Sequence, residues 1–303
     1  MCMDFVSVVI PSFNRAKVIG ESIKSVLNQT YTNLEVVVVD DCSTDNTEEI
    51  VNEIDDSRVK YIKLKKNSGA CVARNTGVDN SIGNIIAFHD SDDLWKPNKL
   101  EIEMNALKNN NADVVFCAIT RHNYGRDDEV FPQLQEGFKT HQEIVEGFFV
   151  STQTILGYKS IFEKYRFDKN VRRMQDYDLM VRIAEDNKVY FVKQALVDVY
   201  LQSDSISSNS VNQYLKIKES TELFLKKYKN YGEMYPEWKK EMYSRLGHCL
   251  VMLDEDATGI YKELLRLDKS KENHIKYILC RLHLLKTYFD FMDKKEKNVG
   301  ERK

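Results

Sequence analysis

Apolar positions in the first 120 residues come as short, nearly unbroken runs, each followed by a stretch in which apolar residues recur every three or four positions. Residues 5–10 form the first run, Pro11 to Arg15 interrupt it, and Ile19, Ile23, Val26 and Leu27 then follow helical spacing. The plan repeats with a strand over 34–39 and a helix over 44–55, a strand over 59–64 and a helix over 69–80. A strand over 84–89 leads to a helix over 96–109, and a fifth strand spans 112–119. Runs such as Val36-Val37-Val38-Val39 show no polar alternation, which marks strands covered on both faces and therefore parallel. The expected fold class is α/β, a doubly wound, mostly parallel sheet flanked by helices and joined by right-handed crossovers.

Beyond Arg121 the pattern loosens. Residues 121–140 read as a polar, mobile loop, 141–149 as a short helix and 154–158 as a short strand. A helix begins at Asp176, and two short strands follow at 189–192 and 195–201. From about Asn209 to Met292 the spacing is helical, with breaks near Gly232, Asp254 and Leu267 to Ser270. No fixed period links these segments, so they predict an extension of about four helices rather than a repeat array. The expected division is an α/β domain over residues 1–205 and a helical extension over 206–303.

Composition narrows the function classes. With 42% hydrophobic residues the chain of 303 can fill a core, and 44 basic against 47 acidic side chains leave a net charge of −3. That balance excludes a nucleic-acid footprint. Six cysteines, Cys2, Cys42, Cys71, Cys117, Cys249 and Cys280, have no CxxC spacing, and no histidine shows metal spacing. Reduced thiols are expected. The first apolar run is too short for a signal peptide or a membrane span, which predicts a cytoplasmic chain.

The chemistry concentrates at Ile85-Ile86-Ala87-Phe88-His89-Asp90-Ser91-Asp92-Asp93. A buried strand that ends in carboxylates delivers them to the sheet edge where open α/β sheets bind ligands. Asp90 and Asp92, one residue apart, suit a divalent ion that keeps open positions for phosphate oxygens, so a metal-bridged nucleoside diphosphate fits Asp90-Ser91-Asp92. The same acids also suit the cap of a helix opening near Lys96-Pro97. Asp41, at the tip of the second strand, suits a uracil imide, an Asx-turn or a cap before the helix at Thr44. Phe13 suits a base or the core. His89, beside Asp90, reads as a packed histidine.

Four motifs in order carry a resemblance: residues 6–15 (Val-Ser-Val-Val-Ile-Pro-Ser-Phe-Asn-Arg), Asp40-Asp41 with Ser43-Thr44-Asp45, Gly69-x-x-x-Ala73-Arg74-Asn75-x-Gly77, and Asp90-Ser91-Asp92-Asp93. Together they resemble the family 2 glycosyltransferases of GT-A fold, strongly over residues 5–125 and weakly to about 200. The resemblance implies a nucleotide-sugar donor, usually a UDP-sugar, and inversion at the anomeric carbon with Mn²⁺ or Mg²⁺ as cofactor. It implies a saccharide or lipid-linked saccharide acceptor in surface glycan synthesis. Carried over by position, Pro11, Phe13, Arg15, Asp41, Gly69, Arg74, Asp90, Ser91 and Asp92 bind the nucleotide sugar, with Asp92 on the metal and Asp90 facing the ribose or the metal. Pro11 and Phe13 border the base, Asp41 takes the uracil, and Arg74 lines the donor site or forms a structural ion pair.

On the acceptor side the family's Glu-Asp pair is matched by Gln175-Asp176, so the first acid is missing. Asp176 is the expected catalytic base; sequence does not separate it cleanly from Asp178, and a first-turn cap is the competing role. The competing functions are a sugar nucleotidyltransferase, for which residues 11–15 lack the basic glycine-rich loop, and a catalytically silent nucleotide-sugar binder. In the tail, Ile275, Ile278, Leu279, Leu282, Leu285 and Phe289 form an apolar face followed by Lys294, Lys295 and Lys297. Such a face packs internally, forms a homodimer, or makes peripheral contact with the inner face of the membrane.

Overall fold

The computed structural model of the chain describes residues 4–122, 128–200 and 211–300, with side chains as far as Met292. The alternation expected from the sequence is present: β1 (Val6–Ser12), α1 (Ile19–Leu27), β2 (Leu34–Asp40), α2 (Thr47–Asn52), β3 (Val59–Lys63), α3 (Ala70–Asn80) and β4 (Ile85–Phe88). Then come β5 (Leu94–Trp95), α4 (Lys99–Asn109), β6 (Val114–His122), β7 (Glu129–Phe131), β8 (Gly137–Lys139), α5 (His141–Gly147), β9 (Ile155–Tyr158), α6 (Lys159–Lys164), α7 (Gln175–Ala184) and β10 (Val189–Tyr200). The main order across the sheet is β3-β2-β1-β4-β9-β6-β10-β5. β1 pairs in parallel with β2 and β4, and every residue of these three strands is buried, as their mainly apolar sequences require.

Two polar residues interrupt those runs, and both are satisfied internally. The Ser7 hydroxyl donates to Glu35 at 2.5 Å and accepts from the Gly83 amide at 2.8 Å, while Glu35 also accepts from the Ile82 amide at 2.7 Å. Neither group is left to pay an unpaired desolvation cost.

Several expectations change. β9 runs antiparallel to both β4 and β6, so the parallel sheet is interrupted at its centre. The segment expected as a loop over 121–140 instead extends β6 and adds β7 and β8, which pair antiparallel with β6 and β10. Residues 123–127 lie outside the described residues. The two strands expected at 189–192 and 195–201 are one, β10, whose register against β6 shifts between Val192 and Val197; the bulge reads in sequence as a break.

The chain divides into two compact units, one holding β1 to β10, the other residues 170–174 and the helices from Val211 onward. The expected boundary at 205/206 lies outside the described residues. The helical unit contains α8 (Val211–Lys227), α9 (Tyr231–Met234), α10 (Pro236–Met252), α11 (Thr258–Leu267), α12 (Lys271–Arg281) and α13 (Leu285–Gly300), not four helices. The break at 282–284 leaves no signal in the sequence, since Leu282, Leu284 and Leu285 continue the apolar spacing, and it is made by His283 in left-handed backbone at φ 55°. Leu246, Leu250, Ala257, Tyr261, Leu264 and Leu285 form this unit's core. No described helix is long and apolar enough to cross a membrane.

The packing of α3 on β1 fixes the sheet edge that matters below. A Cβ on Gly77 would stand 2.2 Å from a methyl of Val9, which is itself wholly buried. Gly77→Ala is therefore expected to lose about 1 kcal/mol net, because overpacking costs about 1–3 kcal/mol and alanine returns about 1 kcal/mol of helix propensity. In a Val9→Ala background the same change should stabilise. Chemical denaturation of the four proteins checks this, and a Gly77→Ala protein as stable as the parent would contradict the close approach.

Candidate active site

β4 carries the chain to the sheet edge through His89, which is wholly buried. Its Nε2 lies 2.9 Å from the Ser22 hydroxyl of α1, and that hydroxyl also reaches the Asp90 carbonyl at 3.1 Å. Burial, with the Lys99 charge adding to it, pushes the His89 pKa down to about 3, so the imidazole is a neutral packing and hydrogen-bonding group. The four residues after it diverge in environment. Asp90 and Asp92 keep about 28% of their side-chain surface, whereas Ser91 and Asp93 are buried. Burial first, then the charges of Asp90 and Asp92, raise the Asp93 pKa well above the usual carboxylate range. Asp92 lies 3.6 Å from the Arg15 guanidinium, which brings the ends of β1 and β4 together.

The loops after β1 and β2 are clasped to each other. Asn14 and Cys42 both adopt left-handed backbone, at φ 53° and 67°. The Asn14 amide donates to the Ser43 hydroxyl at 2.8 Å, the Thr44 amide donates to the Asn14 side chain at 2.8 Å, and the Arg15 amide donates to Thr47 at 2.9 Å. These bonds leave Phe13 41% exposed at the strand end, so the core role is excluded. Pro11 is different: its ring is buried inside β1.

Asp40 is fully buried and accepts from the Ser43 amide and the Tyr61 hydroxyl. Asp41 receives the Ser68 amide at 2.6 Å and the Gly69 amide at 2.7 Å, one on each oxygen. Gly69 sits at φ 89°, a conformation that favours glycine, and this turn aims both amides at the carboxylate. Asp41 is thus neither the Asx-turn nor the cap of α2 weighed from sequence; it is a strand-tip carboxylate oriented by the loop before α3.

α3 presents Arg74 from beneath. The guanidinium, 8% exposed, donates to Asp90 at 2.8 Å and to the Gln175 side-chain oxygen at 2.9 Å, and lies over the Phe167 ring at 5.3 Å. Asn75, one residue on, grips the Phe167 backbone in both directions, donating at 2.9 Å and accepting at 3.0 Å. α3 therefore ties the acids after β4 to the start of α7.

α7 separates the two acids that sequence left together. Asp178 is wholly buried and pairs twice with Arg182, at 2.8 and 3.1 Å, while Arg182 also donates to the Arg166 carbonyl. Asp176 accepts from the Tyr177 amide at 2.8 Å in the first turn. Desolvation pushes its pKa up, opposed by that amide and by Arg74, with Asp90 adding to the rise. A carboxyl of raised pKa beside a charged cluster is the usual form of a general base.

Sequence reasoning singled out neither Gln175 as the partner of Arg74, nor Ser68, nor Phe167. Gln175 was visible only as a departure from an expected acid. Ser68 and Phe167 act through backbone atoms and a ring face, for which residue type gives no signal.

Among the described residues no group of three or more His, Cys, Asp or Glu is arranged to hold a metal ion. Asp90 and Asp92 are two partly exposed oxygen donors on one turn, a set that fits Mg²⁺ or Mn²⁺ completed by phosphate oxygens and water.

The geometry separates structural from chemical roles by measurement. Asp178→Asn removes the charge facing Arg182 and should cost about 2 kcal/mol of stability, less than the full penalty for a broken buried pair because Arg182 is 22% exposed. Asp176→Asn should be neutral or stabilising near pH 7, since the folded protein holds the Asp176 proton more tightly than the unfolded chain and ionising it works against folding. Thermal unfolding of the two variants checks the contrast, and equal losses would contradict it.

A family model described as glycosyl transferase family 2 matches residues 7–169. An uncharacterized glycosyltransferase of Rickettsia conorii is 32% identical over 213 residues, covering 69% of this chain and 35% of that protein. The chain thus spans about a third of the length of such relatives. The Escherichia coli protein WfgD, named UDP-Glc:alpha-D-GlcNAc-diphosphoundecaprenol beta-1,3-glucosyltransferase, is 33% identical over 212 residues, 69% of this chain and 81% of that protein. Among solved structures, S. aureus TarS in complex with UDP-GlcNAc superposes with a TM-score of 0.63 at 18% identity, covering 97% of this chain and 92% of that one. The mannosyltransferase PcManGT of Pyrobaculum calidifontis, in complex with GDP-Man and Mn2+, gives 0.62 at 16% identity, covering 96% and 88%. The fold is that of GT-A glycosyltransferases, and the chain belongs to glycosyl transferase family 2.

Proposed function

We propose that the chain transfers a sugar from a nucleoside diphosphate donor, a UDP-sugar, to a hydroxyl of a saccharide or lipid-linked saccharide in surface glycan synthesis. The observation that carries this is the Arg74 bridge, which joins Asp90 on the donor side to Gln175, the neighbour of Asp176. The names of WfgD and of the TarS complex support UDP as the nucleotide and a diphosphate-linked acceptor.

Each residue then has a physical task. Asp41, already oriented by two amides, retains lone pairs for the imide N–H of uracil, and exposed Phe13 offers a face to the base. Asp90 and Asp92 would hold a divalent cation that neutralises the leaving diphosphate. Arg74 keeps Asp90 aimed and places positive charge between the two halves of the site. In an inverting displacement, Asp176 takes the proton of the acceptor hydroxyl as its oxygen bonds to the anomeric carbon. The bond from that carbon to the phosphate oxygen breaks, and its electron pair leaves with UDP. Gln175 accepts from Arg74 without neutralising it, whereas a glutamate there would compete with Asp90 for the same guanidinium.

A general base works best with a pKa near the working pH, and the raised pKa of Asp176 moves it that way. Activity should fall as pH drops through that pKa, so the acid limb of kcat/KM lies higher than an unperturbed aspartate would place it. Asp176→Asn should keep UDP affinity and lower transfer by roughly 10²-fold, the scale for loss of a general base, while abolishing that limb.

The direct test is slow donor hydrolysis with a panel of nucleotide sugars and Mn²⁺, read as nucleotide release. UDP release from one of them, dependent on the metal and lost in Asp92→Ala, is expected. Release unaffected by chelator or by Asp92→Ala would overturn the metal role, and no release together with no UDP binding would overturn the donor assignment.

A further inference from the structure

Outside the site, the feature with the clearest chemistry is the outer face of α12. Ile275, Ile278 and Leu282 recur at i, i+3 and i+7 on one side of the helix, and each is between 50% and 59% exposed. Cys280, the one residue of α12 that is buried, stands on the opposite side, about 180° away at 100° per residue. Tyr277 and Leu279 of α12 pack against the same core, so the helix is apolar on both sides and its outer stripe stays exposed among the described residues. Leu284 in the following turn and Phe291 on α13 are also exposed, at 50% and 63%.

Charge distinguishes the occupant. From Lys269 to Lys303 the sequence holds ten Lys and Arg against five Asp and Glu, a net of +5 in a chain whose total is −3. The remaining 268 residues therefore carry −8. Lys271 lies on the same side of α12 as the apolar stripe, one turn before Ile275, while Arg281 borders it on one edge and Glu272, paired with Lys276 at 2.5 Å, on the other; Lys271, Arg281 and Glu272 are exposed. A two-fold contact with a second copy through this stripe would set Lys271 and Arg281 of one copy against those of the other. An anionic bilayer surface instead accepts apolar side chains into its interface and attracts the basic residues beside them.

We infer that the α12 face, with Ile275, Ile278 and Leu282 between Lys271 and Arg281, is a docking surface for an anionic lipid bilayer. The contact is peripheral: two helical turns supply a stripe about 10 Å long, far short of a span. It does not depend on the donor chemistry, because none of these residues belongs to the site built around Arg74.

The test is co-sedimentation of the full chain with vesicles of phosphatidylcholine alone and of an equal mixture of phosphatidylcholine and phosphatidylglycerol. Binding to the anionic vesicles and not to the neutral ones is expected. Ile278→Glu with Leu282→Glu should weaken partitioning by about tenfold or more, as should Lys271→Glu with Arg281→Glu. These exposed substitutions should leave the thermal midpoint and UDP binding unchanged, which separates lost docking from lost folding or lost donor binding. Absence of binding to anionic vesicles, or binding indifferent to the Ile278→Glu and Leu282→Glu pair, would overturn the proposal. So would a concentration-dependent dimer of the parent that the same pair dissociates, since that would assign the face to a second copy.

Discussion

One nearly buried guanidinium holds the site together. Arg74 keeps only 8% of its side-chain surface, so its charge must be met inside the protein, and Asp90 and Gln175 accept from it at 2.8 and 2.9 Å. Each partner ends a different part of the chain: Asp90 follows the central strand β4, and Gln175 opens α7. Because a guanidinium is planar with donors at fixed angles, satisfying both partners at once fixes their separation. The acids proposed for the leaving group and the carboxylate proposed as base are thereby set relative to each other before any substrate arrives. Preorganisation of that kind is how a site that works by positioning and charge gains much of its rate.

The rest of the sheet serves that arrangement. Gly77 lets α3 approach β1 closely, Asn75 grips the backbone at Phe167, and Phe167 lies under the guanidinium. On the other flank, Ser68 and Gly69 aim Asp41, and the clasp between Asn14, Ser43 and Thr44 holds the first two loops together. All of these contacts run from α3 or from loops at the same edge of the sheet. The motif Gly69-x-x-x-Ala73-Arg74-Asn75-x-Gly77 is compact because one helix turn after another performs a separate mechanical task.

Sequence disclosed the parts that residue type and period encode. Buried parallel strands show as valine runs, acids at strand ends stand out against them, and the four motifs identified the family; the chain's membership and α/β fold bear that out. What escaped was set by partners distant in sequence. The antiparallel insertion of β9 leaves no local trace, since a four-residue apolar run reads the same in either direction. The bulge in β10 imitates a break between strands, and the turn at His283 is hidden inside an apolar stretch. Asp176 and Asp178 look alike two residues apart. Only the fold shows that one is committed to Arg182 while the other keeps a pKa raised by desolvation.

The central claim is that Arg74 mechanically couples the Asp90 side of the site to the start of α7. A double-mutant cycle on kcat/KM with Arg74→Lys and Gln175→Ala tests it most directly, since lysine retains the charge and loses the planar fork. Coupling predicts that the second change costs little once the first is made, an interaction energy of at least about 1 kcal/mol. Strict additivity, each substitution costing the same in either background, would show that the two sides are positioned independently and would contradict the account.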